Sequence, residues 1–415
     1  MTLRSAARLS PAWLLVLGTM AGLLSMALWP AFSAKLGFLD RGLWFMDSYA
    51  LLAASEARQA GLDPSVPNAL DVFNRPHSYS SWWFALDRLG LTRADNFILG
   101  GGMVGAFLVA AWGWLRPGSW REAGWGLAFL LSPPVLLAVN RGNNDLLIGA
   151  LLCLGVLAWR AGPGWGSTGF VGAVAVATGL KFYPLVAVAG LLVIRDVRRR
   201  LWTLGVGSLV VAVVFASEWE WFKRAVIPRP DGLYLYGAGI LWRELGVEST
   251  RLAVPSALIL VGMGGLLRWC GWTTGLDRPG ASVSVRAGFI AGAVLLLACW
   301  VAGLSYAYRW TLGILLLPWL WREVAGGGRA ARWALGLLLA LLWSDGLFCL
   351  VSNLTVGPMP VPVLERVQHY WQLLVQPVTW VFHGMLAGWL LDLVWRQGVV
   401  MRAELAVGAV QESPR

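Results

Sequence analysis

Charge is scarce in this chain: 13% of its 415 residues are Asp, Glu, Lys or Arg, about half the share of an ordinary soluble domain. Hydrophobic residues make up 58%, more than a soluble fold could hide, so water-soluble, fibrous and disordered classes are excluded. Histidine and cysteine are rarer still, at three and four residues. Cys153, Cys270, Cys299 and Cys349 fall in or at the ends of apolar runs with no C-x-x-C pair, a pattern of neither a disulfide framework nor a zinc site. No H-E-x-x-H, G-x-S-x-G, Walker or G-x-G-x-x-G element stands in a supporting context, so nucleotide-driven chemistry in a cytosolic domain is not expected. With no internal repeat or low-complexity linker, residues 1–415 read as a single integral-membrane unit.

What the chain has instead is apolar sequence, in runs near 12–34, 97–115, 124–139, 145–159, 166–180, 183–194, 201–217, 252–270, 287–304, 310–321, 333–351 and 372–395. A crossing takes about 20 residues, which predicts an all-α, polytopic membrane bundle of about twelve helices (10–13). The runs 183–194 and 310–321 are short for a span and are expected to be broken or re-entrant, a form tolerated where backbone is buried in protein or lines a wet cavity. Arg4 and Arg8 precede a run too long for a signal core, so 12–34 is expected to stay as the first span.

The net charge of +11 reports orientation here, not nucleic acid. If the N-terminus is cytoplasmic and every run crosses, the inside segments hold eighteen basic and seven acidic residues, and the outside fifteen of each. The whole excess then falls on one side, as the positive-inside rule asks, with Arg195 to Arg200 as its anchor. Both termini, including the tail 402–415, are expected in the cytoplasm of a multi-pass cell-membrane protein, and the long polar segments 35–96 and 218–251 outside. The first of these mixes charge with Trp44, Phe45, Trp82, Trp83 and Phe84, and is expected to fold with interfacial helices.

Four constellations could carry chemistry on that outer side. Asp47 opens a small-residue helical stretch just after span one; its carboxylate could serve as a general base for a hydroxyl or could cap the helix. Arg141-Gly142-Asn143-Asn144-Asp145 forms a tight turn between two runs, suited to phosphate or sugar or simply to turning. Lys181-Phe182-Tyr183-Pro184 interrupts an apolar stretch at a proline; an ammonium there could hold a lipid phosphate or snorkel to the interface. Ser305-Tyr306-Ala307-Tyr308-Arg309-Trp310 lies in a short outer turn, where a guanidinium flanked by tyrosines could clamp a phosphate or likewise snorkel. His77 adds a titratable group to the first outer loop, whereas His369 and His383 stand alone.

In this order the four elements resemble the bacterial polyprenol-phosphate-mannose-dependent α-mannosyltransferases, of the GT-C class of integral-membrane glycosyltransferases. The likeness runs through Asp47 to Ala54 with the Gly61 to Pro64 turn, Gly142 to Asp145, Lys181 to Pro184, and Tyr308-Arg309. Ser48 stands where the family usually has an aromatic residue, Tyr49 comes early, and the tryptophan-rich segment from Ser78 to Phe84 has no counterpart in the pattern.

The resemblance implies transfer of a hexose, mannose in the family, from a polyprenyl-phosphate donor to an extracytoplasmic lipid or glycan acceptor, with inversion. Asp47 would be the base. Lys181, Arg309 and Arg141, with Asn144, Asp145, Tyr183, Tyr308 and His77, would surround the donor phosphate. No outer D-x-D is present to hold a metal, and no cofactor or metal is expected. The partners are then the donor, the acceptor and membrane lipids. The rival expectation is a multi-pass secondary transporter or lipid flippase, which would also carry broken helices and intramembrane charge, but usually in repeat-related halves.

Overall fold

The computed structural model describes residues 10–38, 44–224, 233–247, 252–273, 275–276, 281–355 and 361–411. The expectations resting on Arg4, Arg8, Asp40, Asp277, Arg278, Glu412 and Arg415, and on parts of the 35–96 and 218–251 loops, lie outside the described residues.

Helix punctuation is written plainly in the chain. Proline stands in the first turn of Pro11–Leu28, Pro133–Arg141, Pro163–Leu180 and Leu317–Ala325, where its missing N–H is no loss. Ser10, Ser119 and Asp196 accept hydrogen bonds from backbone N–H groups of the first turn that follows each of them, as N-caps do. The described chain is almost wholly helical; its only strands are the two-residue pair Leu235–Tyr236 and Ser305–Tyr306, antiparallel with Leu235 opposite Tyr306.

Among the described residues, six helices are long and apolar enough to cross a membrane: Pro11–Leu28, Arg93–Leu115, Val197–Ser217, Val283–Val301, Arg329–Asn353 and Glu365–Val399. Trp120–Leu130 and Pro133–Arg141, bent by 53° at Pro133, make a seventh if read as one span. The expected count of about twelve is therefore not reached by length and composition. The runs at 145–159 and 252–270 form the shorter helices Asp145–Ala158 and Ala253–Trp269, and that at 166–180 the helix Pro163–Leu180.

The two runs expected to be broken wind as 3₁₀ segments, Tyr183–Val193 and Ala307–Leu315. Both lie against Val283–Val301. That helix is the centre of the bundle, with 78% of its apolar window buried, against 17% for Pro11–Leu28 and Val197–Ser217 at the periphery. Irregular backbone at this depth is tolerable because protein surrounds it, and it brings the sequence around Lys181 beside the sequence around Arg309.

The polar segment that follows the first apolar helix is structured where described. Its helix Met46–Gln59 buries Leu51 and Leu52 against Trp83, Leu86 and Met103. The 3₁₀ turn Ser81–Phe84 carries the tryptophans back to the bundle.

Candidate active site

Asp47 sits in the first turn of Met46–Gln59, yet its side chain does not cap that helix; Phe45, in the left-handed region, is the N-cap residue. The carboxylate turns instead to the end of Pro133–Arg141. Arg141 donates to it from Nε at 3.0 Å and from its terminal amine at 2.8 Å, a two-pronged grip. Asn143 donates from Nδ2 at 2.6 Å, and Arg75 reaches the same group at 3.2 Å. Burial alone would raise the pKa of a group only 4% exposed. The Arg141 and Arg75 charges and the Asn143 amide override it and hold Asp47 well below the usual carboxylate range, as opposite charges do. Arg75 is itself held by Asp71, from Nε at 2.8 Å, and by the Met46 carbonyl.

The turn Gly142 to Asp145 joins this cluster to a second one. Gly142 closes the preceding helix with φ +54°, and a Cβ there would crowd Phe45 and the Ser48 hydroxyl at about 3 Å; glycine alone takes that conformation without strain. Asn143, fully buried, donates to Asp47 with its nitrogen and accepts the Asp145 N–H with its oxygen at 2.9 Å. One amide thus fixes the spacing of the two carboxylates.

Asp145 is 0% exposed. Lys181 donates to it at 2.6 Å, the Tyr183 hydroxyl at 2.9 Å, and one terminal nitrogen of Arg309 to both oxygens at 2.8 and 2.6 Å. Lys181 also donates to Asn144 Oδ1 at 2.6 Å, while the Asn144 amide nitrogen has no partner among the described residues. Lys181 is buried, so it is an inward cation and does not snorkel; Arg309 is likewise turned inward.

Two cavities open on these clusters. One of about 150 Å³ is lined by Asp47, Arg75, Arg141 and His77, among others. The second, about 550 Å³, is lined by Lys181 and Arg309 and by an apolar and aromatic majority that includes Phe182, Phe215 and Phe222. Ser78, Tyr79, Tyr306 and Tyr308 line both.

All four sequence constellations therefore meet. Of the residues singled out, Asp47, Arg141, Asn144, Asp145, Lys181, Tyr183, Tyr308 and Arg309 join the clusters or their cavities. His77 lines the smaller cavity, but burial holds its imidazole down to about 4, its Nε2 is bound to the Ser80 carbonyl at 3.0 Å, and its ring lies against Phe84. A neutral, tethered imidazole supplies no charge to a phosphate.

Sequence reasoning missed Arg75, Asp71, Asn143 as the joint, and Tyr79; Tyr306 stood in the constellation around Arg309 without a role of its own. Arg75 had a local signal in Asp71-x-x-x-Arg75, but nothing in the sequence tied it to Asp47. The tryptophan-rich segment also finds its place. Trp82 covers Gly179, where a Cβ would stand 2.5 Å from the ring, and the Trp83 indole donates to the Leu180 carbonyl at 3.0 Å. Together they brace the helix end from which Lys181 projects.

Among the described residues no group of three or more His, Cys, Asp or Glu could hold a metal ion. No protein-family model, no curated protein and no solved structure matches this chain.

Proposed function

We propose that the chain is a GT-C-like membrane glycosyltransferase that moves a hexose from a polyprenyl-phosphate donor to a lipid or glycan hydroxyl on the outer side of the cell membrane. One observation carries the reading: a largely apolar cavity bearing two inward-turned cations stands wall to wall with a smaller cavity bearing a carboxylate. An amphiphilic anion suits the first, since its tail is apolar and its phosphate needs fixed positive partners. A hydroxyl acceptor suits the second.

The charge of the site agrees with a lipid monophosphate. Arg75, Arg141, Lys181 and Arg309 face Asp47, Asp71 and Asp145, leaving one positive charge in excess. A phosphodiester-linked sugar carries one negative charge and would balance it.

In the proposed reaction the acceptor oxygen attacks the anomeric carbon from the face opposite the phosphate. The new C–O bond forms as the bond to the phosphate oxygen breaks, its electron pair leaving with the phosphate and the configuration inverting. The acceptor proton goes to Asp47. The longest of the four contacts to that carboxylate is the one from Arg75, and Arg75 keeps Asp71 when it yields; an acceptor hydroxyl can take its place. Lys181 and Arg309 stabilise charge on the departing phosphate, the electrostatic contribution usually largest in such steps. Twelve crossings, mannose as the sugar, and an inside-facing Arg195 to Arg200 segment belong to the same proposal.

The test is sugar transfer in reconstituted membranes with radiolabelled polyprenyl-phosphate hexoses. Asp47→Asn keeps the shape without the basicity, and turnover should fall on the order of 100-fold or more with donor binding retained. Near-normal turnover would remove Asp47 as the base, and no transfer to any hydroxyl acceptor by the parent protein would remove the reaction.

A further inference from the structure

The wall shared by the two cavities is aromatic and hydroxylated. Tyr306 and Tyr308 are stacked, ring centroids 5.4 Å apart and planes 27° apart. A cation attends each ring of the wall: Arg141 lies 5.6 Å from the Tyr306 centroid, Arg309 6.0 Å from that of Tyr308, and Lys181 5.0 Å from that of Tyr79.

Tyr183 shows how a phenol in such a cluster is usually satisfied, by donating to Asp145. The hydroxyls of Tyr79, Tyr306 and Tyr308, by contrast, have no hydrogen-bond partner among the described residues, and none is sealed from open space. Buried tyrosines usually find a partner for the O–H. Tyr308 is 7% exposed, so its ring is fixed while its oxygen is unused.

The backbone behind the wall is rigidly specified. Tyr306 is paired with Leu235, and the Ala307 N–H donates to the Tyr234 carbonyl at 2.7 Å. At Gly237, φ +140°, a Cβ would collide with the Gly303 carbonyl. Free hydroxyls on braced rings are the arrangement of a binding surface, since pre-formed pockets combine aromatic lining with a few placed polar groups.

We infer that Tyr79, Tyr306 and Tyr308 form a saccharide subsite, with the stacked rings meeting the apolar face of a pyranose and the three phenols meeting its hydroxyls. An acyl chain would leave those phenols unpaired, and a phosphate alone has the cations. The inference rests on the glycosyltransferase reading and specifies it. A sugar at this wall lies between the cavity of Asp47 and the cavity of Lys181 and Arg309, where its anomeric carbon must be.

The experiment compares binding of two short-chain lipids, polyprenyl phosphate and polyprenyl-phosphate hexose, to the full-length protein in detergent, read by intrinsic tryptophan fluorescence. Tyr308→Phe should weaken the hexose-bearing lipid about tenfold, the size of one lost hydrogen bond, Tyr306→Leu, which also removes a ring, by at least as much, and both should leave polyprenyl phosphate unchanged. Lys181→Ala should weaken both. Retained binding of the sugar-free lipid shows that the variants are folded. If the parent binds the hexose lipid but the tyrosine variants weaken both lipids equally, or neither, the subsite is refuted and the glycosyltransferase reading stands. If the parent binds neither lipid, that reading fails first.

Discussion

Asp47 and Asp145 look alike by every local measure: each is buried, each sits in the first turn of a helix, and each is held by two cations and a neutral donor. They differ in which member of the cluster meets a cavity. Around the smaller cavity the acid and its arginines all form the lining. Around the larger one Lys181, Tyr183 and Arg309 do so, and Asp145 stays behind them. The first carboxylate is placed to meet a ligand, whereas the second is a counter-ion that holds cations ready for one. A list of partners does not separate these roles; the position of the cavity does.

The largest test of the comparison is stability. Asp145→Ala strands Lys181 and Arg309, whose side chains are 8% and 15% exposed, and removing one partner of a buried pair typically costs about 3–5 kcal/mol. Asp47→Ala leaves Arg75 on Asp71 and Arg141 beside Tyr306, with side chains 26% and 21% exposed, so its cost should be clearly smaller. Thermal unfolding midpoints of the two variants in the same detergent check this. Equal midpoints would erase the distinction between a ligand-facing acid and a structural counter-ion.

Acid sharpens the Asp47 side through its neighbouring histidine. Asp47 is depressed from an ordinary value of 3.8, so its contribution is complete above that value and is lost only as pH falls further. His77, beside it, is lowered from 6.5 to about 4. A depressed imidazole stabilises the fold above pH 6.5 and loses that contribution as pH falls toward the folded value, at 1.36 kcal/mol per unit. By pH 5 the loss is about 2 kcal/mol. The midpoint should drop between pH 7 and 5 in the parent and by less in His77→Gln; parallel curves would mean that the loop over the smaller cavity does not depend on a neutral His77.

The sequence made the four constellations legible for a physical reason: ionisable residues are so few here that any beside an apolar run stand out, and Asp47, Arg141, Asp145, Lys181 and Arg309 were all found that way. Proline and glycine likewise marked where the helices break. What could not be read was pairing. Arg75 and Asp47 are 28 positions apart and Asp145 and Arg309 are 164 apart, and no local period encodes such distances. The span count, six by length and composition among the described residues against twelve apolar runs, differs for another reason. A 20-residue window cannot tell a crossing helix from short apolar segments such as Tyr183–Val193 that are buried by the protein itself. Tyr79 carried no signal of its own because nothing in the sequence places a cavity beside it.

The smallest expected effect tests the Asp145 side without touching a charge. Trp83 donates its indole N–H to the Leu180 carbonyl at 3.0 Å, the last residue before Lys181, and Trp82 closes over Gly179 one position earlier. If this segment braces the lysine, Trp83→Phe keeps a buried ring and removes one hydrogen bond, worth about 1 kcal/mol. The loss should appear twice, as a small fall in the unfolding midpoint and as a several-fold weaker hold on polyprenyl phosphate, because the ammonium is no longer aimed by a fixed helix end. Turnover at saturating donor should change little, since Asp47 and its arginines lie in the other cluster. A fall in turnover with unchanged lipid affinity would reverse the assignment, coupling the tryptophans to the carboxylate side and making the two clusters one mechanical unit.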